Sequence, residues 1–202
     1  MDELVARGMA KWPNVPAVYG WLELDRRGNW LIKGSRIANR ALVDFIARNY
    51  ECDAHGRWYF QNGPQRVFVQ LHYTPIVYRA INADGEPLVL QTHTGKRAIH
   101  LSGAWLDESG TPLFASEHGS GALHDADSQL VISAFRDSAA TPPAEDRLEQ
   151  LMHRVQTGDD RALWIAYGDR LINVRFLSSQ RAPEYFGFCS CPTALHHPDA
   201  SS

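Results

Sequence analysis

The chain has 202 residues, 44% hydrophobic and 21% charged, the profile of a globular domain with a core of its own. Its net charge is −3 and its isoelectric point about 6.3, which argues against nucleic-acid binding, since such domains usually exceed about 9. The first residues, MDELVARGMAKWP, carry no basic stretch followed by an apolar one, and no apolar run approaches the roughly 20 residues of a membrane span. Three cysteines, at 52, 189 and 191, make no disulfide framework, so a cytoplasmic location is expected.

Residues 2–11 place Leu4, Val5 and Met9 on one helical face, and Pro13 ends the run. Four segments then share a hydrophobic run, an acidic or amide residue, two spacers, a glycine and another run. They are WLELDRRGNWLI (21–32), YECDAHGRWYF (50–60), YRAINADGEPLVL (78–90) and AWLDESGTPLF (104–114). Asp or Asn opens such a turn, and Gly28, Gly56, Gly85 and Gly110 supply the positive φ that closes it. Recurrence of this kind predicts repeated hairpin units. Residues 36–49 predict a helix with Ile37, Ala41, Leu42, Phe45 and Ile46 on one stripe and Ser35 as its N-cap. Asp137–Glu145 (DSAATPPAE) reads as a linker between a β-rich body, 1–137, and a helix-hairpin appendage with a polar tail, 138–202. In that appendage, 143–157 predicts a helix with the stripe Leu148, Leu151, Met152 and Val155, and 163–177 a hairpin turning at Gly168-Asp169. The fold class expected is α+β.

The order KWPNVP (11–16), YGWLELDRRGNW (19–30), GRWYFQNGPQRVFV (56–69), GAWLDESG (103–110), GSGALHDAD (119–127) and FGFCSCP (186–192) resembles a proteobacterial family of unknown function. Residues 138–182 are longer than that family's pattern. A second uncharacterised family is similar in the order Gly28-Asn29-Trp30, Gly34 to Val43, then a hairpin from Gly56. That resemblance implies an α+β fold with repeated motifs and a role in signal transduction. Neither implies an established activity.

Four polar clusters are candidate sites. The knot Gln61-Asn62-Gly63-Pro64-Gln65-Arg66 has more polar side chains than its Asn-Gly turn requires. Gln61, Asn62, Gln65 and Arg66, with Arg79 from a neighbouring strand, could converge on a small polar or anionic ligand. The simpler account is that they bond nearby backbone. SEHGSGALHDAD (116–127) gathers Glu117, His118, His124, Asp125 and Asp127. The first resemblance singles out His124 and Asp127. In the alternative reading of a hydrolase-like enzyme, His124 is the base and Asp127 its orienter. Cys189, Cys191, His196 and His197 have poor spacing for zinc, and no metal or cofactor is expected there. His93 to His100 reads as a solvated basic turn. No phosphate loop, dinucleotide fingerprint or nucleophile elbow occurs. Trp21, Trp30, Trp58 and Trp105 flank the repeat turns, as a packed core layer would. The reading favoured is a small-molecule binding or regulatory module, with an enzyme or a protein–protein adaptor as alternatives.

Overall fold

The computed structural model describes residues 2–11, 15–82 and 86–194. In chain order the elements are α1 (Glu3–Lys11), β1 (Val18–Leu24), β2 (Trp30–Ile32), β3 (Ser35–Arg36), α2 (Arg40–Arg48), β4 (Tyr50–Cys52), β5 (Trp58–Asn62) and β6 (Gln65–Leu71). They continue with β7 (Ile76–Ala80), β8 (Leu90–Thr92), β9 (Leu101–Leu106), β10 (Pro112–Ser116), β11 (Gly119–Leu123) and a 3₁₀ turn at Asp125–Asp127. The remainder are α3 (Ser128–Ile132), β12 (Phe135–Arg136), α4 (Glu145–Gln156), β13 (Trp164–Tyr167), β14 (Arg170–Phe176) and α5 (Ala182–Phe186). The protein is α+β, with antiparallel hairpins in two mixed sheets.

The chain forms two units. The first takes the described residues of Met1–Leu24, Asn29–His72 and Phe188–Ser202; the second takes those of Asp25–Gly28 and Tyr73–Gly187. The Asp137–Glu145 stretch is therefore internal to the second unit. The hairpin after it joins that unit's own sheet, because β14 pairs in parallel with β9, and the helix packs against those two strands.

In the first unit the strand order is β3-β2-β1-β6-β5-β4. Lys33 and Gly34, at φ 49° and 76°, make the two-residue loop between β2 and β3. Those strands correct the expected helix start. Ser35 is drawn into a ladder with Ile32, so it caps nothing; Asn39 caps α2, accepting the Leu42 N–H at 3.1 Å. The stripe of α2 then packs on the sheet, with Ile46 buried and Phe45 edge-on to Phe60 at 5.4 Å. In the second unit the order is β12-β13-β14-β9-β10-β11-β7-β8, and α4 buries Leu148, Leu151 and Val155.

The repetition extends beyond turns. The segment β2-β1-β6-β5-β4 and the segment β8-β7-β11-β10-β9 have the same topology: an outer hairpin, one parallel pairing, then a three-strand meander. The meander turns match bond for bond. Asp53 Oδ1 accepts the N–H of His55 and Arg57, and Asp107 Oδ1 accepts those of Ser109 and Thr111. Gly56 and Gly110, at φ 72° and 77°, donate back to the Asp53 and Asp107 carbonyls. Gly28 closes the β1–β2 turn at φ 76°, and Gly85 lies outside the described residues. Asp137 repeats the same bonds with Ala140 at φ 60° in the glycine's place, a position no Asp-x-x-Gly pattern reveals.

Candidate functional site

The first unit carries an open groove of about 390 Å³ between α2 and the sheet. Val18, Trp21, Ile32, Leu42, Phe60 and Val67 make its apolar walls, and Asn62 and Gln65 stand at one end. Three local features form it. The β1–β6 register slips between Val18 and Leu22, where Gly20 adopts φ 71°, a bulge geometry that redirects the strand. Trp21 consequently stays 52% exposed, unlike the buried Trp30 and Trp105 that the core-layer expectation describes. Phe60 pairs with Val67 and Asn62 with Gln65, so these alternate residues project to one face. The side chain of Asn62 makes no hydrogen bond with another described residue.

The pleat divides the polar knot. Asn62 and Gln65 face the groove, and the Gln65 amide donates to the Pro16 carbonyl at 3.2 Å. Gln61 and Arg66 form the next pair and project to the opposite face. Gln61 is buried; its amide donates to the Gly63 carbonyl at 2.9 Å, and its oxygen accepts from Arg66 Nε at 3.4 Å. Arg66 lies over the Tyr59 ring at 4.6 Å, and Arg57 over Phe68 at 4.6 Å. Tyr19 stacks on Phe68 at 4.7 Å. Arg57 also holds Asp53 at 2.7 Å. Burial alone would raise the Asp53 pKa, but hydrogen bonds from the Arg57 side chain and backbone hold it below the usual carboxylate value. The turn's central residues are Gly63 and Pro64 rather than Asn62 and Gly63, because Asn62 completes the last rung.

Arg79 lies in the second unit. Its Nε donates to Asp127 Oδ2 at 2.6 Å and its Nη2 to Oδ1 at 3.1 Å. Asp127 is buried and also accepts the Ala80 N–H at 3.0 Å. His124 caps the 3₁₀ turn, with Nδ1 accepting the Ala126 N–H at 3.1 Å. The His124 and Asp127 side chains thus serve different partners and do not bond to each other. Glu117 bonds the N–H groups of Ile99 and His100, and His118 Nε2 lies 3.0 Å from the Arg97 carbonyl. Asp125 pairs with Arg27 at 2.7 Å. Cys189 is half-buried and Cys191 exposed; His196 and His197 lie outside the described residues. Among the described residues no three His, Cys, Asp or Glu side chains cluster as a metal site would require. No helix of the described residues is long and apolar enough to cross a membrane.

The clusters singled out from sequence were polar, whereas the groove is mostly apolar and its walls come from five elements. One local signal existed: Gly20 inside a strand rich in aromatic and aliphatic residues marks a bulge.

The fold is that of a known structural class. A crystal structure of a DUF1285 family protein from Silicibacter pomeroyi DSS-3 is similar with a TM-score of 0.51 at 16% identity, covering 87% of this chain and 96% of that one. A second DUF1285 family protein, from Shewanella baltica OS155, is similar with a TM-score of 0.40 at 16% identity, covering 52% and 84%. The chain itself matches over residues 1–193 the family model DUF2944, described as "Protein of unknown function (DUF2946)", and belongs to that family. No curated protein matches it.

Proposed function

We propose that the protein binds a small, largely apolar molecule in the groove of the first unit. The observation that carries this reading is an apolar concavity of about 390 Å³ with the Asn62 amide, unbonded to any other described residue, at its end. Small-molecule sites typically have apolar walls, a few orienting polar groups and volumes of roughly 300–1,000 Å³. The knot contributes to the site through Asn62 and Gln65, while Gln61 and Arg66 brace the opposite face. A catalytic role for His124 finds no support in its bonds, since Asp127 is engaged by Arg79. Regulation by a bound ligand is consistent with this reading, because binding to the folded state alone stabilises it.

The test is a fragment screen on the full chain, followed by amide and indole NMR. Binders should move the signals of Trp21, Ile32, Asn62 and Val67. A Val67→Trp variant, which fills the groove from its wall, should lose those responses while keeping its fold. Fragments that bind but leave these four residues unmoved would overturn the assignment.

A further inference from the structure

The internal repeat supplies a template for what the groove takes. Register pairs align the two units residue by residue. Phe60 pairs with Val67 and Asn62 with Gln65 in the first unit; Phe114 pairs with Gly121 and Ser116 with Gly119 in the second. Leu22 pairs with both Val69 and Ile32; Tyr78 pairs with both Leu123 and Thr92. Phe60 therefore corresponds to Phe114, Asn62 to Ser116, Gln65 to Gly119, and Leu22 to Tyr78.

At the second unit's version of the site, the chain fills its own space. Tyr78 is fully buried, with its ring edge-on to Phe114 at 6.0 Å. Its hydroxyl lies 2.6 Å from Ser116 Oγ and donates to the Gly119 carbonyl at 2.6 Å. A phenol is thus held at three points: an aromatic edge, a side-chain polar group and a turn carbonyl. The first unit keeps all three in Phe60, Asn62 and the Gln65 carbonyl. It has Leu22 where the phenol would originate, and an open groove where the ring would lie.

We propose that this groove binds a small phenolic molecule, its ring edge-on to Phe60 and its hydroxyl between the Asn62 carboxamide and the Gln65 carbonyl. The proposal rests on the groove being a binding site and adds the chemical class of its ligand. Asn62 can donate to the hydroxyl as Ser116 does, and the carbonyl can accept its proton. Trp21, exposed at the groove's mouth, adds an aromatic wall that the Tyr78 site does not need.

The full chain is titrated with 4-ethylphenol and, separately, with ethylbenzene, which has the same ring without the hydroxyl. The phenol should bind about tenfold tighter, the effect of one buried hydrogen bond, and Asn62→Leu should erase most of that preference. Equal affinity for the two probes would overturn the phenolic assignment and leave the groove reading standing. Failure of both to perturb Trp21 or Val67 would overturn the two together. A Leu22→Tyr variant plants the second unit's phenol in the first. It should abolish 4-ethylphenol binding and raise the melting temperature; a folded variant that binds the probe as the natural chain does would reject the proposal.

Discussion

His93 is the residue on which acid sensitivity should centre. It is half-buried, its Nδ1 accepts the Val77 N–H at 3.2 Å, and desolvation of the ring pulls its pKa down to about 3, against a smaller upward pull from Asp25. A Cβ on Gly28 would come within 2.8 Å of the His93 side chain, so that turn glycine preserves the packing as well as the backbone angle. In the unfolded chain a histidine titrates near 6.5. Between these values the unfolded chain takes a proton that the folded chain refuses. Stability is therefore full above about pH 6.5 and falls on acidification, by up to about 1.4 kcal/mol per pH unit. Depressed carboxylates such as Asp53 act lower, below about 4. Urea unfolding at pH 7 and pH 5 should show the loss, and His93→Gln, which keeps an acceptor for Val77, should flatten it. At the same scale, Arg66 acts by stacking on Tyr59 and bonding Gln61. Arg66→Ala should cost about 0.5–1 kcal/mol, a fall of roughly 1–4 °C in Tm, without weakening 4-ethylphenol binding. Lost binding at unchanged Tm would place Arg66 in the site.

At the scale of elements, the Asp turns show how a short polar motif sets a hairpin. One carboxylate satisfies two N–H groups and the fourth residue closes the loop in the left-handed region. The Asp53 and Asp107 turns use glycine; the Asp137 turn uses Ala140 at φ 60°. An L-residue there costs about 1–2 kcal/mol, partly offset by the entropy glycine would lose. Ala140→Gly should therefore stabilise the protein by about 0.5–1 kcal/mol, read as a shift of denaturation midpoint at unchanged slope. Destabilisation would mean that Ala140 makes packing contacts worth more than its strain. The elements most legible from sequence were those with local causes. The Leu148/Leu151/Val155 stripe predicted α4 within two residues at its start, and Gly168-Asp169 predicted the β13–β14 turn. The start of α2 was missed because a ladder to β2, not a local preference, claimed Ser35.

For the whole molecule, the first unit is discontinuous in sequence. Residues after Gly187 belong to it: Phe188 is buried, Cys189 N–H donates to the Gly56 carbonyl at 2.9 Å, and the Leu71 N–H donates to the Ser190 carbonyl at 2.8 Å. Ending the chain at Gly187 should lower the melting temperature and speed amide exchange at Leu71. Unchanged exchange there would show that the returning segment contributes nothing to that unit.

The sequence by itself determined the α+β class, the Asp-x-x-Gly turns, the helix stripes and the recurrence of hairpins. Each follows from residues within a few positions of one another, where backbone preference and side-chain period act directly. Only the tertiary structure decided which polar residues are free. Arg79 and Asp127 lie 48 positions apart, yet they pair once β7 and the 3₁₀ turn meet. Gln61 and Arg66 were separated from Asn62 and Gln65 by pleat alternation, which depends on the β5–β6 register. The groove depends on the parallel pairing of β1 with β6 and on the bulge at Gly20. Parallel pairing joins strands distant in the chain and leaves no local pattern, so an apolar site built on it can be recognised only once the chain has folded.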